Sequence, residues 1–113
     1  MTNSSPTPRT MTSERLLQSA ILRWLRSHGG WWVKYHVAGK YSTAGVPDII
    51  GSYKGRFIAF EVKRPGGKLT KLQAMTHKQM REQGKAYVFV VDSLDMVKEV
   101  LYKLDRRERE TNA

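Results

Sequence analysis

Residues 46–63, VPDIIGSYKGRFIAFEVK, contain two strand-length runs rich in Ile, Val, Phe and Tyr, joined across Lys54-Gly55. Apolar runs around a short glycine-bearing turn predict a β-hairpin. Its strands should span about 46–53 and 56–63, with Pro47 at the start, where a missing N–H is tolerated. Pairing through a 53–56 turn sets residues whose numbers sum to about 109 opposite each other, so Asp48 falls across from Glu61. In the second strand Ile58, Phe60 and Val62 project from one face, and Phe57, Ala59, Glu61 and Lys63 from the other. Glu61 and Lys63 then stand roughly 7 Å apart at their bases. Two carboxylates directly opposite each other repel. A divalent cation bridging them would reverse that sign.

The charge distribution sharpens the point. The chain of 113 residues carries a net +10. Residues 1–81 hold 14 Lys or Arg and only three acids, Glu14, Asp48 and Glu61, for a net of +11. Residues 82–113 hold six Lys or Arg and seven acids, for a net of −1. A strongly basic domain favours an anionic partner, most often nucleic acid. A phosphate-binding surface excludes carboxylates because they repel the backbone that it holds. Three that persist there need a reason, and a hard cation with oxygen ligands is one.

Around the hairpin the chain reads as one domain. Residues 1–11 are polar and read as a disordered tail. Leu16, Leu17, Ala20, Ile21, Trp24 and Leu25 recur at helical spacing after Thr12-Ser13 and before Gly29-Gly30, predicting a helix over about 13–28. Trp31–Val37 reads as a strand. Residues 38–45 form a polar loop, and Arg64–Lys68 a basic one able to bring N–H groups and cations to a phosphate. Thr70-Lys-Leu-Gln73 has the form of a capping box opening a helix over about 70–83. Lys85–Val91 reads as a strand, and Ser93 caps a final amphipathic helix with Leu94, Val97, Leu101 and Leu104 on one face. Residues 106–113 read as a charged, frayed end, leaving 12–105 as the folded domain. The order αβββαβα predicts a mixed α/β fold, a hairpin-containing sheet with helices on its faces. Cysteine is absent, which rules out disulfides and thiolate metal sites. No apolar run approaches the ~20 residues of a membrane span, and the N-terminus lacks a signal peptide's apolar stretch. The expectation is a cytoplasmic protein.

Pro47-Asp48, twelve residues, then Glu61-Val62-Lys63 resembles the PD-(D/E)xK nuclease motif. In that chemistry Asp48 and Glu61 hold Mg²⁺ or Mn²⁺, with the Val62 carbonyl as a further ligand. Lys63 orients or deprotonates the attacking water and offsets charge on the transition state. The competing reading is a cross-strand ion pair of Lys63 with Asp48 or Glu61. Glu14 shares a helical face with Leu17, Gln18 and Ile21, so it either reaches the metal, directly or through water, or is a first-turn Glu favoured by the helix dipole. Gln73 either closes the capping box or faces the water and phosphate. Trp31, Trp32 and Tyr35 could stack on bases, but alternation favours the core. His36 reads as a surface or phosphate contact.

Three stretches, GVPDIIG at 45–51, FIAFEVKRPGGKLTKLQ at 57–73 and QGKAYVFVVDS at 83–93, resemble the VRR-NUC family of the PD-(D/E)xK superfamily. The resemblance spans about residues 13–104. It implies a restriction-endonuclease-like αβββαβ core with Asp48, Glu61, Lys63 and Gln73 as catalytic residues. The metal ligands would be Asp48, Glu61, Val62 and Glu14. DNA contacts are expected from Lys34, Lys40, Arg64, Lys68 and Lys71. The chain reads as the bare module, like phage and bacterial members that act as dimers on branched DNA. That implies a homodimer, with no small-molecule cofactor and no membrane, in a bacterial or phage-infected cell. A four-way-junction (Holliday-junction) resolvase would need the two active sites of a C₂ dimer, joined through the apolar face of the first or last helix. Two alternatives stay open: a monomeric nickase, flap nuclease or exonuclease, and a non-catalytic basic DNA-binding module.

Overall fold

A computed structural model describes the backbone of residues 9–40 and 42–112. The elements are helix α1 (Arg9–His28), strands β1 (Trp31–Lys34), β2 (Ile49–Tyr53) and β3 (Arg56–Val62), helix α2 (Lys71–Glu82), strand β4 (Tyr87–Val91) and helix α3 (Leu94–Asn112). The expected αβββαβα order holds. The sheet runs β1-β2-β3-β4, antiparallel across the first three strands and parallel between β3 and β4. A parallel pair needs a long crossover, and α2 supplies it.

The hairpin register is the expected one, with Ile49 opposite Phe60 and Tyr53 opposite Arg56. Lys54 (φ 48°) and Gly55 (φ 81°) both take left-handed conformations. A two-residue turn of that kind matches the twist of its strands and allows no slippage.

On one sheet face Ile49, Ile58, Phe60, Val62 and Val91 pack with Ile21 and Leu25 of α1 and Val97, Leu101 and Leu104 of α3. Each large side chain buried there contributes about 1.5–3 kcal/mol. Both helices therefore bury most of their apolar faces in this core, while Leu16 of α1 and Met96 and Tyr102 of α3 stay exposed. Trp32 joins this core, whereas Trp31 is 67% exposed. Tyr35 is neither core nor free, because its hydroxyl donates to Thr43 O (2.8 Å) and accepts from Thr43 N (2.9 Å).

Three boundaries differ from expectation. Helix α1 starts at Arg9, so residues 9–11 of the expected tail are helical; residues 1–8 and Tyr41 lie outside the described residues. β1 ends at Lys34, because Tyr35 turns away to hold the loop. The charged end does not fray: α3 continues to Asn112. Arg and Glu are good helix formers, and the end is tied down. Asp105 accepts from Tyr53 OH (2.6 Å) and Lys54 Nζ (3.0 Å), and Glu108 meets Arg56 at 3.3 Å. Among the described residues no helix is long and apolar enough to cross a membrane.

Candidate active site

The site forms at the end of β3, on the sheet face opposite the main core. Asp48 immediately precedes β2, and Tyr35 N donates to its backbone oxygen at 2.7 Å. Its carboxylate Oδ2 accepts from Val62 N at 2.8 Å, replacing the next rung of the ladder. This fixes Asp48 against the strand that carries Glu61, as the register requires. Val62 N–H points toward Asp48, and in an extended strand the carbonyl of a residue faces the same side as its N–H.

Glu61 is 2% exposed, and its Oε1 has no hydrogen-bond partner. Burial, then the Asp48 carboxyl bonded to it, push its pKa up to about 8, while Lys63 pulls the other way. A second carboxylate beside a buried one disfavours its ionisation, and a cation would relieve that. Lys63 N donates to Val91 O at 2.9 Å, so β4 anchors the lysine one residue past the strand end.

Glu14 reaches the same region. Its Oε2 accepts from Arg64 N at 3.2 Å. Because α1 begins five residues earlier, Glu14 lies beyond the first turn, where the helix dipole acts. The dipole reading falls on that ground. Among the described residues, however, no three His, Asp or Glu side chains cluster tightly enough to hold a metal. Glu14 lines the same cleft as Asp48. Gln73 does close the capping box, with Oε1 accepting from Thr70 N (3.0 Å) and Gln73 N donating to Thr70 Oγ1 (3.1 Å).

A cleft of about 590 Å³ opens over these groups, lined by Glu14, Asp48 and Gln73 together with Arg15, Lys34 and His36 among others. The fold thus brings Glu14, Asp48, Gln73 and Lys34 to one opening, with Glu61 buried behind Asp48. Arg64 and Lys68 are exposed on the segment between β3 and α2, Lys71 at the first position of α2, and Lys40 on the 38–45 loop. Two residues escaped the sequence reading. Arg15 lines the cleft beside Glu14 and was legible as its neighbour. His77 is fully buried, with Nε2 3.3 Å from Glu61 Oε1. Its signal was the polar set Gln73, Thr76 and His77 at one helical face.

A mixed α/β sheet with a carboxylate pair and a lysine at the end of its central hairpin is the arrangement that the PD-(D/E)xK resemblance implies. Comparison with solved structures agrees. The chain matches a structure described as a VRR_NUC domain at TM-score 0.66 and 27% identity, over 80% of this chain and 95% of that one. It also matches a VRR_NUC domain protein at TM-score 0.67 and 19% identity, over 80% of this chain and 86% of that one, a likeness of fold. No protein-family model matches, and no curated protein matches. Over 80% of its length the chain shares its fold with VRR_NUC domains, the family that its three sequence stretches resemble, and this likeness supports a nuclease-type domain.

Proposed function

We propose that the protein is a Mg²⁺- or Mn²⁺-dependent endodeoxyribonuclease that hydrolyses phosphodiesters in branched DNA as a homodimer, in the manner of a Holliday-junction resolvase. One observation carries the reading. Asp48 and Glu61 are pressed together beside a cleft that Arg15 and Lys34 also line, with Glu61 Oε1 buried and unbonded. That donor set fits a hard cation: two carboxylates, a carbonyl at Val62, and room for water.

Bound there, the metal would supply Lewis-acid polarisation of a phosphate oxygen and ease the ionisation of water. The chain's own groups do the rest. Lys63, close enough to favour an ionised Glu61, orients the attacking water and offsets charge developing on the phosphate. Gln73 and Glu14, at the cleft wall, position that water. Arg15 and Lys34 in the cleft, with Arg64, Lys68 and Lys71 beyond it and Lys40 on its loop, hold the flanking phosphates.

Symmetric paired cuts need two copies. Beside the exposed apolar residues of the helices, Leu16, Met96 and Tyr102, the sheet face bearing the site offers a surface for a second copy. There exposed Trp31 and Phe57 flank half-buried Val33 and Ile50 in register across β1, β2 and β3. This strip runs on directly into the Asp48–Glu61 row, so pairing there would set two sites side by side. Such a protein would act in the cytoplasm of a bacterial or phage-infected cell.

The test is cleavage of a synthetic four-way junction beside flap and linear duplex DNA, with Mg²⁺, Mn²⁺ or EDTA, and with mass in solution measured in parallel. Metal-dependent symmetric cuts of the junction by a dimer are expected. Flap or nick cleavage by a monomer keeps the nuclease and removes the resolvase. Tight binding without any cleavage leaves a DNA-binding module.

A further inference from the structure

Helix α2 faces the opposite way from what its apolar residues would dictate. Leu72 and Met75 are 46% and 53% exposed, while Thr76 and His77 are buried. Burying polar groups costs stability unless they are bonded, so hydrophobic packing alone would turn the helix around. What the inward side does meet is the active site. His77 Nε2 lies 3.3 Å from Glu61 Oε1, close but outside hydrogen-bond geometry in this structure, and the ring also faces the Gly45 backbone. One residue earlier, Thr76 Oγ1 donates to Ala44 O at 3.2 Å. Gly45 (φ +84°) packs so closely there that an added Cβ would collide with Thr76 Oγ1 and stand 2.9 Å from Leu72 O. The 44–47 segment seated this way leads straight into Asp48.

We infer that His77 is a positioning residue for Glu61: its Nε2–H donates to Oε1 and holds the carboxylate where, with Asp48, it receives the divalent cation. The inference rests on the proposed metal site. Neighbouring Thr76 performs the matching task for Asp48 by holding the segment before it, so a single turn of α2 sets both carboxylates. A neutral imidazole suits this role, since it carries one N–H to donate. Carboxylates oriented by a second donor bind metal more tightly, and removal of such a donor typically costs about 10–100-fold in affinity. The helix gives up packing of Leu72 and Met75 for that order, which is why its polarity is inverted.

The test is Mn²⁺ binding by isothermal titration calorimetry on the full chain, for wild type, Glu61→Gln, His77→Leu and His77→Gln, with thermal unfolding in EDTA alongside. Glu61→Gln should abolish binding. His77→Leu should weaken it about 10–100-fold. His77→Gln, whose amide N–H reaches to about the same place, should restore it. The metal-free Tm of His77→Leu should fall, because Glu61 Oε1 loses its donor, and His77→Gln should restore it together with the affinity. A residue that merely packs would lower the Tm with unchanged affinity. Wild-type affinity in His77→Leu, or no restoration by His77→Gln, overturns the inference and leaves the metal site standing. A wild type that binds no Mn²⁺ overturns both. Should the Leu variant fail to fold, His77→Met takes its place with the same expected results.

Discussion

The carboxylate pair should make the metal-free protein less stable as pH rises, a trend that Glu61→Gln should remove. Glu61 titrates near 4.5 when unfolded and near 8 in the folded site, raised by burial and by Asp48. Between those values the native protein holds a proton that the unfolded chain has already released. The linkage slope is then negative, about −1.4 kcal/mol per pH unit at its steepest. Stability from this group is complete below pH 4.5 and is lost as pH climbs toward 8. From pH 5.5 to 7.5 the wild type should lose about 1–3 kcal/mol relative to Glu61→Gln, a large share of the ~5–15 kcal/mol that holds a domain together. Urea unfolding in EDTA at several pH values measures this. Other groups, such as Asp105, titrate equally in both proteins and cancel in the difference. Adding Mn²⁺ should reverse the wild-type trend, because the cation displaces the proton and binds better as pH rises. Parallel stability–pH curves for the two proteins in EDTA would refute the reasoning, since Glu61 would then be neither protonated nor pressed against Asp48.

Other expectations follow from single contacts. Lys63→Ala should slow cleavage by about 10²–10³-fold, with Mn²⁺ binding retained on calorimetry. Thr70→Ala removes the cap of α2 and should cost about 1 kcal/mol on urea unfolding with cleavage retained, whereas Gln73→Ala should lose stability and cleavage together. Asp105→Ala strips the partner from Tyr53, Lys54 and His28. It should cost about 1–3 kcal/mol by thermal or urea unfolding and leave cleavage unchanged. Asp105 is held below the usual carboxylate range: its burial would raise it, but the bonds from Tyr53, Lys54 and His28 outweigh that. Its share of stability is therefore present at neutral pH and lost as acid protonates it.

What was legible in the sequence is what local physics dictates. The Lys54-Gly55 turn and the alternation of Ile58, Phe60 and Val62 set the hairpin register, and with it the meeting of Asp48 and Glu61. Thr70 and Gln73 announced the start of α2 by their spacing. The ends of α1 and α3 were not legible, because polar helix formers carry no periodic signal. What secures the end of α3 is tertiary: Arg56 and Lys54 of the hairpin reach Glu108 from 52 and 54 positions earlier in the chain. Trp31 belied the rule that aromatic strand residues go inside: it lies on the face of β1 opposite Trp32, which packs in the core. His77 was hidden for a related reason. Its role appears only once α2 is rotated so that Leu72 faces solvent, which helical periodicity alone would not choose.

The most direct test of the whole account is single-turnover cleavage of a labelled four-way junction by wild type and Asp48→Asn, in Mg²⁺ and in EDTA, with DNA binding measured on the same samples. Cleavage by wild type in Mg²⁺ only, and its loss in Asp48→Asn with DNA binding preserved, is the predicted result. Cleavage that survives EDTA or survives Asp48→Asn would contradict it.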